Sequence, residues 1–244
     1  MENHADKKTV IVTGAGSGIG HAITLRLLAE GYVVYAWDIA PGRLEEIQRP
    51  NLSVAVVDVR DKPGLDRAVR QLLDATGCID GLIACAGIYK TMPFLALDEA
   101  TWDATFDINL KGGLFACQAV LPTMRKQRHG SIVFFSSTVA RQGAIRGAHY
   151  AATKGGILGF ARSVALDVAR DNVRVNTISP GVTDTQMPRE HATDADLEAA
   201  ARKIPLGRIG RPDDMAEAAL FLLQDDSSFV TGQDIRVNGG ALIF

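Results

Sequence analysis

Residues 9–20, TVIVTGAGSGIG, constrain this chain more than any other stretch. Val10, Ile11 and Val12 are a β-branched run without polar alternation, the pattern of a strand covered on both faces. Glycines follow at Gly14, Gly16, Gly18 and Gly20, where the backbone can turn sharply and come close to a ligand. From Ile19 to Leu28 the apolar residues Ala22, Ile23, Leu27 and Leu28 recur at helical spacing. A strand, a glycine turn and a helix N-terminus present free N–H groups and the positive end of a helix dipole, an arrangement that suits a diphosphate. The G-x-G-x-x-G spacing is not met, because Ile19 and His21 stand where its last glycine would fall, and no Gly-Lys-Ser/Thr of a P-loop follows.

What does stand here is T-G-x-x-x-G-x-G, from Thr13-Gly14 to Gly18-Ile19-Gly20, which resembles the cofactor loop of the short-chain dehydrogenase/reductase family. The resemblance implies that Gly14, Ser17, Gly18, Ile19 and Gly20 hold a nicotinamide dinucleotide. The 244 residues, 47% of them hydrophobic, suffice for one large α/β domain spanning 1–244. A net charge of −2 without like-charge runs gives no reason to expect nucleic acid or a membrane surface as partner, so a small molecule is the default. Cys78, Cys85 and Cys117 have neither disulfide nor zinc spacing; no metal is expected, and a reducing cytoplasm fits. The stretch Met1 to Lys8 is polar and no long apolar run occurs, so a soluble, unprocessed chain is expected.

A second strand over Val33 to Trp37 ends at Asp38. An acidic residue there accepts both adenosine ribose hydroxyls and repels a 2′-phosphate, which points to NAD. Uncharged Ser17 and Ile39 agree, since a site for NADP usually places Arg or Lys beside that phosphate. The competing role for Asp38 is a helix cap or a solvated loop carboxylate. A third strand over Leu52 to Val57 leads into Asp58-Val59, where the resemblance implies an adenine contact and helix capping competes. A fourth, Ile79 to Ala84, leads into Cys85-Ala86-Gly87. The family usually carries Asn-Asn-Ala-Gly there, so Ala84 and Cys85 depart from it, while Ala86 and Gly87 still leave room for cofactor.

Thr101 to Gln127 carries one long helical pattern that contains Asn109. A fifth strand, Ser131 to Phe135, delivers Ser136 and Ser137 to its C-terminal end; Tyr150 follows, with Lys154 at i+4 on the same helix face. Moving hydride between an alcohol carbon and nicotinamide requires a proton to move on the alcohol oxygen. A free tyrosine, with a pKa of about 10, is a poor base at neutral pH. A neighbouring ammonium and the oxidised cofactor's cation are expected to lower it. The resemblance implies Tyr150 as acid/base, Ser137 as hydrogen-bond donor to the substrate oxygen, Lys154 as ribose ligand that tunes Tyr150, and Asn109 as holder of a relay water. His149 reads as a pocket wall or surface residue.

A sixth strand, Val173 to Ser179, runs into Pro180-Gly181-Val182-Thr183-Asp184-Thr185. In the family this turn meets the nicotinamide carboxamide, and both Thr183 and Thr185 are candidates. Gln186 to Leu206 reads as a substrate lid with a short helix over Asp194 to Lys203, followed by a last helix, Pro212 to Leu223, and a last strand, Asp234 to Val237. Alternating strands and helices give a doubly wound parallel sheet of about seven strands with ligands at the C-terminal strand ends.

Substrate choice is expected in the loops Ile88 to Leu97 and Thr138 to His149 and in the lid. Arg141, Arg146 and Arg189 lie there, and guanidinium groups can hold a carboxylate by paired hydrogen bonds. The expected reaction is therefore NAD-dependent interconversion of a secondary alcohol and a ketone, on a hydroxy acid or sugar-derived acid. The alternatives are a 3-oxoacyl thioester reductase, which would ordinarily take NADPH, and a non-catalytic NAD(H) sensor. The resemblance also implies a homotetramer, with a dimer as the smaller option.

Overall fold

The structure, a computed structural model, describes residues 7–243; the first six residues of the polar N-terminal stretch and Phe244 lie outside the described residues. Seven strands are found among them: β1 (Thr9–Thr13), β2 (Val33–Asp38), β3 (Leu52–Val56), β4 (Gly81–Ala84), β5 (Gly130–Phe135), β6 (Val173–Pro180) and β7 (Asp234–Val237). All pair in parallel, in the order β3-β2-β1-β4-β5-β6-β7. The helices are α1 (Gly18–Ala29), α2 (Lys62–Thr76), α3 (Glu99–Phe106), α4 (Gly112–Gln127), α5 (Val139–Gln142), α6 (Ala148–Val168), α7 (Gln186–Arg189), α8 (Asp194–Lys203) and α9 (Pro212–Leu223). This is the Rossmann-type architecture expected of the alternating pattern.

The two faces of the sheet take alternate residues of each strand. Val10 and Val12 of β1, Ile83 of β4 and Phe135 of β5 pack with Ile23 and Leu27 of α1 and with Met215 and Ala219 of α9. Ile11, Leu82, Ile132 and Phe134 point the other way, onto Leu65 and Leu72 of α2, Val120 and Met124 of α4, and Ile157 and Ala161 of α6. Burial on both sides explains why the strands read as unbroken apolar runs. Thr13 of β1 pairs with Ala84 of β4, so the ends of these two strands lie level where the strand order reverses. Ligands of doubly wound sheets bind in the crevice outside that edge.

Two elements differ from expectation. β4 begins at Gly81 rather than Ile79, because the Ile79 N–H donates to the Gln127 side chain and the Asp80 N–H to the Thr9 carbonyl. The long helix is α3 and α4 joined through a π-helical turn at Asp107–Lys111, with α3 capped by Asp98, whose carboxylate accepts from the Thr101 N–H at 2.7 Å. Asn109 sits in that turn, 3% exposed. No helix among the described residues is long and apolar enough to cross a membrane.

Candidate active site

The glycine loop leaves β1 under α1 and next to the end of β4. Gly14 has φ +69°, and a Cβ there would lie 2.7 Å from the Ala86 backbone, so only glycine lets the loop rest on Ala86. At Gly16 a Cβ would stand 2.2 Å from the Ala40 carbonyl. Ser17 precedes α1 in extended conformation without capping it through its side chain, which leaves the first turn's N–H groups facing the crevice. That cradle fits a diphosphate.

Asp38, at the end of β2, accepts from the Gly16 N–H at 2.8 Å and from the Ala40 N–H at 2.9 Å. It caps no helix, and each oxygen keeps a lone pair for a further donor. Ile39 beside it is 63% exposed. Asp58 is taken by a neighbour instead: its oxygens accept from the Arg60 guanidinium at 2.6 to 3.0 Å, and these bonds hold the carboxyl below its usual range. Val59 is buried and packs where a side chain on Gly112 would collide. Cys85 lies at the end of β4, packed against the apolar cluster. Burial pushes its thiol up to about 12, so it is a neutral filler in place of the usual amide.

The groups expected to react come from β5, the α3–α4 junction and α6. The Ser137 hydroxyl, at the end of β5, accepts the Val139 N–H at 3.4 Å and acts to lower the Tyr150 phenol. One residue earlier, the buried Ser136 hydroxyl donates to the Lys154 carbonyl at 2.8 Å and ties α6 to β5. The Lys154 Nζ stands 5.4 Å from the centre of the Tyr150 ring and donates to the Phe135 carbonyl at 2.8 Å. Burial lowers its pKa to about 8. For Tyr150 burial outweighs the effect of Ser137 and raises the phenol above its ordinary value, with Tyr89 and Cys85 adding to the rise. The downward shift expected from Lys154 is not seen here: burial dominates at Tyr150, and the ammonium's hydrogen bond goes to the Phe135 carbonyl.

The Asn109 side chain is fully engaged. Its Oδ1 accepts from the Ile88 N–H at 2.8 Å, and its Nδ2 donates to the Ile88 carbonyl at 2.9 Å and to the Thr153 hydroxyl at 3.3 Å. The side chain therefore anchors the strand end after Gly87 to α6. A Cβ on Gly87 would lie 3.3 Å from Asn109 Oδ1 and 3.6 Å from Lys154 Nζ, so the chain passes directly over both.

Pro180 ends β6, and the Gly181 N–H donates to Val237 of β7. The two threonines of the turn now differ. Thr183 is buried and donates to the Gly181 carbonyl at 3.0 Å, while Thr185 lies over the glycine loop, its Cγ2 3.3 Å from a Cβ built on Gly18. Thr185 does not cap α7 with its side chain. Val182, in the same turn, is 42% exposed.

Two of the three arginines have carboxylate partners of their own. Arg189 donates to Asp184 at 2.7 Å and to Asp194 at 2.8 Å. Arg141 pairs with Asp234 at 3.4 Å, and the exposed Arg146, at φ +58°, accepts the Met92 N–H with its carbonyl. His149 is neither surface nor open wall; it is fully buried and neither ring nitrogen has a hydrogen-bond partner. Two side chains not singled out from the sequence complete the site. Tyr89 lies tilted against Tyr150, and His191 of the lid bonds to the Tyr89 carbonyl. An aromatic residue two positions after Gly87 was the available signal for the first.

Known proteins match this chain over nearly its whole length. The family described as enoyl-(acyl carrier protein) reductase matches residues 14–241. The 3-oxoacyl-(acyl-carrier-protein) reductase FabG of Thermotoga maritima is 38% identical, over 97% of this chain and 98% of its own. The (2S)-((R)-hydroxy(phenyl)methyl)succinyl-CoA dehydrogenase subunit BbsD of Thauera aromatica is 35% identical over 97% of both chains. Among solved structures, the ligand-free aldohexose dehydrogenase AldT of Thermoplasma acidophilum superposes with a TM-score of 0.89 at 29% identity, covering 96% of this chain and 94% of that one.

Proposed function

Because this chain belongs to the short-chain dehydrogenase/reductase family and is an oxidoreductase acting on CH–OH groups, we propose that it interconverts 3-oxoacyl and 3-hydroxyacyl thioesters with NAD(H). The observation that carries the chemistry is the Lys154 ammonium 5.4 Å from the centre of the Tyr150 ring, at the strand ends where the glycine cradle opens. A bound nicotinamide supplies hydride to the reacting carbon or accepts it. Ser137 holds the substrate oxygen, and Tyr150 moves the proton on it.

Burial keeps the Tyr150 phenol protonated at neutral pH, which suits donation to a ketone as it is reduced. In the oxidising direction the phenol must first lose its proton, so that rate rises with pH. Lys154 keeps its positive charge below about pH 8 and binds the ribose. Thr185, rather than the inward-bonded Thr183, meets the carboxamide, beside Pro180, Gly181 and Val182.

Asp38 supports NAD: a carboxylate held by Gly16 and Ala40 accepts ribose hydroxyls and repels a 2′-phosphate. The thioester class is supported by two relatives whose names specify acyl-carrier-protein and CoA thioesters. A hydroxy acid held by arginines loses support, since Arg141 and Arg189 have carboxylate partners within the chain. An aldohexose is the second reading, on the likeness to AldT. A homotetramer goes with the proposal: Leu166 on α6, Phe229 and Ile243 stand in water at 81%, 103% and 82% exposure, the outer faces a second copy would cover. The three free cysteines suit a cytoplasmic enzyme.

The test is oxidation of NADH, and separately NADPH, with acetoacetyl thioesters and keto acids, and reduction of NAD and NADP with aldohexoses. Thioester turnover with NADH bears the proposal out. Turnover of aldohexoses alone moves the second reading to the front, and cofactor binding without turnover of any class leaves a sensor of the NADH/NAD ratio.

A further inference from the structure

The loop after β4 carries Tyr89 directly against the reacting phenol. The Tyr89 and Tyr150 ring centres are 4.6 Å apart, with planes tilted by 40°. From the lid, His191 meets the Tyr89 ring edge-on at 5.4 Å, and its Nε2–H donates to the Tyr89 carbonyl at 3.1 Å. A carbonyl can only accept, so that nitrogen carries the proton. The backbone is fixed on both sides of Tyr89: Asn109 bonds both polar groups of Ile88, and the Met92 N–H donates to the Arg146 carbonyl.

Gly147 makes room for this ring. Its φ of −138° is open to any residue, yet a Cβ there would lie 2.9 Å from the Tyr89 hydroxyl and 3.1 Å from Cε2. The glycine is required by contact rather than by conformation. Tyr89 itself is only half-buried and His191 is exposed, so the pair belongs to the mouth of the site and not to the core. Around it, on the loops that the Met92–Arg146 bond draws together, Phe94, Leu95 and Ile145 stand 73%, 97% and 92% exposed. Large apolar side chains left in water beside a reacting group mark where an apolar part of a ligand lies.

We propose that Tyr89, held by His191, is the wall that receives the substituent on the reacting carbon, and that it selects a flat aromatic ring attached directly to that carbon. The proposal rests on the reading of Tyr150 as acid/base and narrows the substrate class. An aryl ring gains offset or edge contacts with Tyr89 beyond its buried area, which a saturated group of equal size does not. Conjugation also keeps an aryl ketone planar. A ring laid on Tyr89 therefore fixes the plane in which the carbonyl oxygen points at Ser137 and Tyr150.

The test uses acetophenone and cyclohexyl methyl ketone, which match in size. Their binding to the NADH complex of the Tyr150→Phe protein, which cannot turn them over efficiently, is read from NADH fluorescence. Acetophenone binds about threefold to tenfold more tightly, the span expected of one aromatic pair. Adding Tyr89→Leu brings the two within twofold, and Tyr89→Phe, which keeps the ring, keeps the ratio. Equal affinities, no binding of either ketone, or a ratio untouched by Tyr89→Leu overturns the proposal. Turnover of acetoacetyl and benzoylacetyl thioesters separates it from the broader reading. Aryl preference among ketones with neither thioester reduced sinks the thioester assignment alone, whereas reduction of both without aryl preference sinks this one.

Discussion

On the β1–β3 side of the cleft, position is held by backbone: Gly14 rests on Ala86, Gly16 lies beside Ala40, and Asp38 is gripped by two main-chain N–H groups. On the opposite side, formed by residues 88–97, 138–149 and 186–206, position is held by side chains reaching across long sequence distances, such as His191 to Tyr89 and Arg141 to Asp234. The first side tolerates almost no change in shape and suits a ligand that never varies. The second can be rebuilt one side chain at a time, as a surface that chooses among substrates must be. Ser137, Tyr150 and Lys154 stand at the seam and belong to both.

Breaking the rigid side should have the largest effect. Gly14→Val forces a β-branched residue to φ +69° and into the Ala86 backbone, so NADH affinity, followed by its fluorescence, should fall by about 100-fold or the protein should fail to fold. A Gly14→Val protein that binds NADH normally would show that the loop has slack. Next comes the junction between the sides. Asn109→Ala takes the side-chain partner from both part-buried Ile88 backbone groups and should cost about 1–3 kcal/mol in urea unfolding, with kcat falling in step. Loss of stability without loss of kcat would assign Asn109 to the fold alone.

A finer test asks what the rigid side discriminates. Asp38→Ser removes the carboxylate beside the ribose position and should shift the ratio of kcat/KM for NADH over NADPH about tenfold or more toward NADPH. An unchanged ratio would detach Asp38 from cofactor choice. The smallest effect is expected on the adaptable side. Arg189→Ala removes an exposed pair with Asp184 and Asp194 and should leave KM for every substrate within about twofold. A large rise in KM for keto acids would restore the carboxylate clamp that its ion pairs argue against.

The same contrast explains what could be read in the amino-acid sequence. Strand ends fell within two residues of their expected places, and α8, α9 and β7 coincide with the stretches expected for them, because apolar periodicity and Pro212 mark them locally. Gly14 to Gly20, Asp38, Tyr150 and Lys154 are also local signals, a short motif, a strand end and an i+4 pair. The π-helical turn was not legible, since a turn widened by one residue leaves the apolar pattern from Phe106 to Phe115 almost intact. Tyr89 and His191 meet from loops 102 residues apart, and no spacing rule connects them. The partners of Arg189 were nearer to hand, for Asp184 and Asp194 flank it at five residues on either side.

The central claim is that Tyr150 moves the proton while the rest of the cleft holds the reactants. The most direct measurement is the single-turnover rate of NADH oxidation with a saturating 3-oxoacyl thioester, in the native protein and in Tyr150→Phe, alongside NADH affinity for both. The account predicts a fall of about 100-fold to 10,000-fold in the rate, the usual worth of a positioned acid/base, with NADH affinity unchanged within about twofold. A Tyr150→Phe protein that oxidises NADH at the native rate would contradict it.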